Sequence, residues 1–557
     1  MKYTKYLFGA IALASSLGFT ACSDKFMEDL NADPTKVTSL DPNAQLTTAE
    51  LQIYGDLGMM HIYRDYQYAF TQQLMGCWNT TNYGGQHRPD DNEMRRTWDA
   101  LYPTAVKNLT DAIYNSKGVK SRNNINAACR IMRVYVMSLI TDTYGDVPYF
   151  EAGMGYIDGV TLPKYDTQKE IYYDFFKELK EAVAQFDPSL DRITGDLIYN
   201  GDLDNWKLLA NSLRLRFAMR LCDVDPAKAQ EEFEAAVNDP GGIISTTTQE
   251  ALVKHMDVAF SFGEDAFRDY RCNALAELFF GNDPVNNPTY ICSTFYDWMD
   301  WKNDPRLNMI CRFYYDKTMS ASSTEGRVDL TDEMSSMGIA PEPCQPGAYS
   351  WDNWPAGYWS LIVESLQKSN PSLNPQLDRE VRPKLANGFL KGNNPGVIFT
   401  AAEVLFLRAE AMVRGWDAGP GTAEALYKEG VRKTFTLLVN HFGCKDPGAD
   451  VIELYLDNGG AFGVVPAAQI SSINEQAWVL HLTNPAECWA NVRRSGYPRL
   501  ASPADYVGEV VVPDRDIPVR LCYPALEGEY NTDNYKAALK RMGGIDSWHT
   551  NVWWDAQ

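Results

Sequence analysis

The stretch that decides the fold is Asp204–Cys222, D-N-W-K-L-L-A-N-S-L-R-L-R-F-A-M-R-L-C. Trp206, Leu209, Leu213 and Phe217 recur every three or four residues, the spacing that stacks side chains on one face of a helix. Asp204 is the predicted amino-terminal cap, because its carboxylate can accept from N–H groups that the first turn leaves unpaired. Arg214, Arg216 and Arg220 fall in the carboxyl half, where cations complement the helix dipole. Working outward, Asn124–Asp142 carries Ala128, Ile131, Tyr135 and Leu139 with apolar residues on adjoining faces as well. That pattern predicts a largely buried helix stopped at Gly145, with Pro148 beyond. Thr400–Gly415 and Thr422–His441 predict a further antiparallel pair joined by Asp417–Gly421. Helices in succession, without βαβ alternation, make the fold class mostly α.

The 557 residues are 45% apolar and 22% charged, an ordinary balance for a folded chain that excludes wholesale disorder. Small residues against large ones, such as Ala409 and Tyr427, are similar to tetratricopeptide-type helix pairs, although no period of about 34 residues aligns over three units. Tyr315–Trp359 differs: Pro341, Pro343, Pro346 and Pro355 interrupt it, so a long, loop-rich surface excursion is expected there. Asn31–Thr35 and Asp41-Pro42-Asn43 read as helix-breaking turns, and Glu509–Val512 as the best strand candidate. The formal net charge is −22, which repels phosphate backbones and anionic headgroups, so nucleic acid is excluded as a partner.

Residues 1–21 read as a secretory leader. Lys2 and Lys5 form its basic start, and Leu7–Phe19 is far short of the ~20 residues that cross a bilayer. Phe19-Thr-Ala-Cys22 resembles a bacterial lipobox, which implies a lipidated Cys22 and a tether over residues 22–46, with one helical domain over 47–557. Several acyl chains on that cysteine would make the anchor effectively permanent. The acidic Ser23–Asp29 looks like a short surface-export tag.

Catalytic signatures are missing from the sequence. None of the six histidines (His61, His87, His255, His441, His481 and His549) has another at i, i+4, so no H-E-x-x-H zinc helix exists. There is no G-x-S-x-G elbow, no phosphate-binding G-x-x-x-x-G-K-[ST] loop and no G-x-G-x-x-G dinucleotide fingerprint. The ten cysteines beyond Cys22 form no C-x-x-C pair and are expected to be mainly buried thiols. A glycosidase needs only two facing carboxylates, which the sequence cannot place, so a lipid-anchored endo-acting hydrolase stays as an alternative. No cofactor, metal or catalytic residue is assigned.

Six stretches in order resemble the SusD/RagB family of nutrient-binding outer-membrane lipoproteins. They are Thr141–Tyr149, Trp206–Arg220, Asn303–Leu307, Phe399–Ala411, Glu487–Trp489 with Arg493–Pro498, and Ile517–Pro524. Together with the lipobox they cover nearly all of residues 22–557, in the branch that departs from the starch-binding prototype. The resemblance implies tetratricopeptide-type helix pairs supporting a variable, loop-rich half. It implies no enzyme activity, and it implies a partner, a SusC-like TonB-dependent transporter that receives captured oligosaccharide or, in some members, oligopeptide. The signature stretches themselves read as scaffold, with Arg493 and Arg494 anchoring a turn through charge-assisted hydrogen bonds.

A sugar ring presents an apolar face and a rim of hydroxyls, so a receptor wants exposed aromatic planes flanked by polar groups. The aromatic fraction is 12%, with 14 Trp and 31 Tyr, and most of those rings are expected to be core. Two loops look different. Trp78–Gly85 offers Trp78, Asn82 and Tyr83 with two glycines expected to be flexible. Near the end of the excursion, Tyr349, Trp351, Asn353, Trp354 and Tyr358 crowd together. A third aromatic group, Tyr296, Trp298 and Trp301, is expected to pack, since Trp298 and Trp301 share a helix face.

Overall fold

The computed structural model describes residues 40–555 apart from 259–268, 281–288, 317–326, 337, 339, 351–367, 369–381 and 507–516. The leader, Cys22, the tether before Leu40, and Glu509–Val512 therefore lie outside the described residues. The chain divides into Met1–Asp41 and a main unit, Pro42–Gln557. No described helix is long and apolar enough to cross a membrane.

Ten helices of the main unit carry the argument. They are α1 (Pro42–Gly55), α2 (Lys107–Ser116), α3 (Asn123–Tyr144), α4 (Gln168–Gln185), α5 (Leu203–Arg220), α6 (Pro226–Val237), α7 (Ala401–Val413), α8 (Ala423–His441), α9 (Pro466–Leu480) and α10 (Pro485–Ser495). Consecutive helices lie side by side: α3 on α4, α4 on α5, α5 on α6, and α7 on both α8 and α9. Four two-residue strands, β1 (Leu74–Met75), β2 (Tyr290–Ile291), β3 (Cys311–Arg312) and β4 (Lys384–Leu385), form an antiparallel sheet in the order β1-β2-β4-β3.

Local chemistry sets the helix ends. The cap of α5 is Asp202, two residues before the expected Asp204. Its extended backbone lets the carboxylate accept from the N–H groups of Asp204 and Asn205. Asp204 is already inside the first turn, where its side chain reaches solvent and Lys207. Pro42 opens α1 rather than a turn, since proline is tolerated in the first turn of a helix. Thr167 and Glu170 make a reciprocal capping box on α4. Gly145, at φ +91°, stops α3 as its sequence predicts.

The arginines of α5 reach beyond their own helix. All three are buried and paired with carboxylates. Arg216 grips Glu403 of α7 through Nε and Nη2 at 2.6 and 2.7 Å, and Arg220 grips Glu487 of α10 at 2.8 and 2.7 Å. Arg494 of α10 reaches both oxygens of Glu410 on α7, at 2.7 and 2.8 Å, so it crosses to another helix instead of anchoring its own turn. Arg493 likewise reaches beyond its own turn, donating to the carbonyls of Asp142 at the end of α3 and of Val519 at 2.8 and 2.5 Å. Burial alone would push the Glu410 and Glu487 carboxyls up, but Arg494, Arg220 and their neighbours outweigh it and hold both at about 2. Arg306, also buried, folds back on Asp304 in the Asn303–Leu307 stretch, with Nε 2.9 Å from Oδ1. The signature stretches are scaffold. Eight of the ten described cysteines are buried and all ten are free thiols, as expected.

Candidate functional site

The Trp78 loop leaves β1 through Gly76, whose φ of +93° suits glycine. The chain then winds into a single turn at Trp78–Thr80 and a wider one at Thr81–Gly85. The Thr81 hydroxyl fixes the entry: it accepts from the Gly76 N–H at 3.1 Å and donates to the Ala348 carbonyl at 3.1 Å. The glycines expected to be flexible are seats instead. A Cβ on Gly84 would stand 2.5 Å from the Asp65 carbonyl, and one on Gly85 2.6 Å from the Met75 sulfur. At Gly84 only glycine lets the loop lie this close to the helical body, whereas the flexible Met75 side chain beside Gly85 can give way.

That close seat lifts one ring into solvent. Tyr83 stacks over Tyr66 with centroids 6.0 Å apart, and Trp78 meets Tyr83 edge-on at 5.9 Å. Trp78 remains 46% exposed. Burial, and then the carboxylates of Glu93, Asp90 and Asp65, push the Tyr83 hydroxyl above its usual range, so it stays a neutral donor. Asn82 is nearly buried; its Oδ1 accepts from Arg88 Nη1 at 2.9 Å and from the Tyr349 hydroxyl at 3.5 Å. Arg88 is exposed and was not singled out by sequence, because nothing local ties it to Asn82.

The excursion meets this loop. Gly76 and Tyr349 form a parallel bridge, the Ser350 N–H donates to the Gly76 carbonyl at 2.9 Å, and Gln86 Nε2 donates to the Gly347 carbonyl at 3.1 Å. Residues 347–350 are therefore docked against the platform loop, with Cys344 fully buried beside Cys292, while Thr331–Ser336 keeps the mostly exposed surface expected of the excursion. Trp351, Asn353, Trp354 and Tyr358 lie outside the described residues, which end one position before Trp351. In the third group Trp298 packs edge-on against Trp478 at 5.9 Å, but Trp301 is 74% exposed, with Lys302 Nζ 4.8 Å from its ring centre. The packing expected of Trp301 fails because the helix ends there, at its own last residue.

Beneath the platform His61, Asp65 and Glu93 bring ligand-type atoms within 4.8 Å of one another. Their charges are already matched. Arg64 Nε lies 2.7 Å from Asp65, and Arg96 holds Glu93 with both nitrogens at 2.6 and 2.7 Å. Burial raises Asp65, yet Arg64 and His61 outweigh it and hold the carboxyl at about 2. Two guanidinium groups occupy the role a cation would fill, so the cluster is an internal ion network that supports Tyr66 and Tyr83.

Paired helices carrying a ring platform on glycine-seated loops define a helical, binding-type protein. The family described as SusD-like, "Starch-binding associating with outer membrane", matches residues 34–524, and the chain belongs to it. Members of this family bind substrate without transforming it. A solved structure titled "Bacteroidetes AC2a SusD-like" is 46% identical over 93% of this chain and 100% of its own, with a TM-score of 0.85. A protein titled as chitin-binding is 29% identical, also over 93% of this chain and 100% of its own, with a TM-score of 0.74. A SusD homologue from Bacteroides uniformis, 23% identical over 93% of this chain and 100% of its own with a TM-score of 0.68, shares the fold. No curated protein sequence matches.

Proposed function

We propose that this protein is a cell-surface receptor that captures oligosaccharides on the Trp78 platform and passes them to a SusC-like TonB-dependent transporter. A diacylated Cys22 tethers it to the outer membrane with the platform facing outward. The observation that carries the reading is an exposed Trp78 braced edge-on by Tyr83, in a loop that also carries the Asn82 amide bonded to the Arg88 guanidinium. A pyranose laid on the indole presents its hydroxyl rim to those groups. Trp351, Asn353, Trp354 and Tyr358 follow in sequence the segment hydrogen-bonded to the platform and belong to the same proposal. The chitin-binding relative supports a β-linked amino-sugar oligomer as the first ligand to try.

The test is isothermal titration of the chain from Ser23 onward with chitohexaose, maltohexaose and cellohexaose, beside the Trp78→Ala and Trp354→Ala variants. Binding of at least one oligomer, weakened about tenfold by Trp78→Ala, supports the reading. Unchanged affinity in both variants removes these loops from the site. Mass spectrometry of the membrane-extracted protein tests the anchor: an unmodified Cys22 thiol contradicts it.

A further inference from the structure

A second concave surface lies on the far end of the helix that supports the platform. Residues Arg96–Ala100 form one short helix. Arg96 holds Glu93 beneath Tyr83, while Trp98 and Asp99, two and three positions on, line a cleft of about 570 Å³. Three residues of helix rise about 5 Å, and Trp98 and Asp99 point to other sides of it than Arg96 does. That volume falls within the ~300–1,000 Å³ of small-ligand pockets. A cavity of about 20 Å³ between Arg216, Arg220 and Glu487, by contrast, has room for little more than a water.

The cleft is built and rigid. The Trp98 and Tyr102 rings lie 4.6 Å apart, and the Tyr102 hydroxyl is pinned to the Pro148 carbonyl at 2.7 Å. Across from them Glu527 accepts from the Tyr165 hydroxyl at 2.7 Å. The charged residues lining it are Asp99 and Glu527, both acidic. Asp99 keeps 54% of its side chain exposed and pairs with Arg95 at 3.1 Å. Burial nonetheless pushes its carboxyl up against the pull of Arg95.

We propose that this cleft is a second saccharide subsite, taking a neutral or amine-bearing pyranose and rejecting uronates. It rests on the receptor reading above. Aromatic edges take the apolar ring face, Asp99 and Glu527 accept from hydroxyl or ammonium groups, and the Glu527 carboxylate, held by the neutral donors Tyr165 and Asn531, repels a carboxylated sugar.

Titration calorimetry with chitohexaose, its fully deacetylated hexamer and a hexagalacturonate decides the matter. Wild type is expected to bind the first two at two sites and the hexagalacturonate not at all in the cleft. Trp78→Ala leaves one site. Pro103→Trp, which fills the mouth from an exposed position, and Asp99→Asn, which keeps the shape, each weaken that remaining site about tenfold for the deacetylated hexamer. The cleft is overturned if Trp78→Ala abolishes all binding, if neither cleft variant changes anything, or if hexagalacturonate binds there as well. No binding of any of these or of the maltose and cellulose oligomers by wild type removes the receptor reading, and the cleft with it.

Discussion

Trp489 and Trp78 are the same residue in opposite settings. Trp489, on α10, is 1% exposed, donates its indole N–H to the Pro518 carbonyl at 3.0 Å and lies under the Arg493 guanidinium. Trp206, Trp478 and Trp554 are likewise buried with the indole N–H satisfied by Asp196, Thr71 and Asp142. Trp78 sits in a loop with its ring braced at one edge and nearly half its surface in solvent. These four indoles of the body are satisfied internally, whereas Trp78 is only partly covered.

The sharpest way to break that contrast is in the body. Glu487→Ala leaves Arg220 and Arg216 buried without their shared carboxylate and should cost about 3–5 kcal/mol, read by urea denaturation. A loss below ~1 kcal/mol would mean that water enters the network. Trp489→Ala should cost about 3–5 kcal/mol through its cavity and its orphaned carbonyl. Trp78→Ala should shift stability by less than ~0.5 kcal/mol while weakening oligosaccharide binding.

Acid offers a gentler probe. The Glu410 and Glu487 carboxyls are held at about 2 against the ordinary 4.5, so each stabilises the fold above the ordinary range. That contribution drains away as pH falls through the window from about 4.5 to about 2. Glu410→Gln should flatten the acid limb of a stability–pH curve, and an unaltered limb would contradict the pairing. The smallest effect belongs to Trp301→Ala: exposed, at a helix end and beside a lysine, it should change neither stability nor binding measurably.

The helices were legible because their information is local. A three-to-four spacing over Trp206–Phe217 and a glycine after Tyr144 say where a helix lies and where it stops. Even so, Asp202 and Asp204 look alike as caps in sequence, and only the backbone angles before α5 separate them. What sequence could not show is long-range pairing. Arg216 finds Glu403 187 positions away, and Asn82 finds Tyr349 267 positions away. Trp98 and Tyr102, at i, i+4, look like ordinary core, and nothing nearby says that one side of the pair is open to a cleft. The two glycines of the Trp78 loop were misread for the same reason: the Asp65 carbonyl that demands Gly84 and the Met75 sulfur beside Gly85 belong to other segments.

The most direct test of the account is a structure of the protein with the tightest-binding oligosaccharide from the titrations. It predicts a pyranose ring lying flat on the Trp78 indole at van der Waals distance, about 4 Å, with a hydroxyl bonded to Asn82 or Arg88. A bare Trp78 with the sugar bound elsewhere would contradict it.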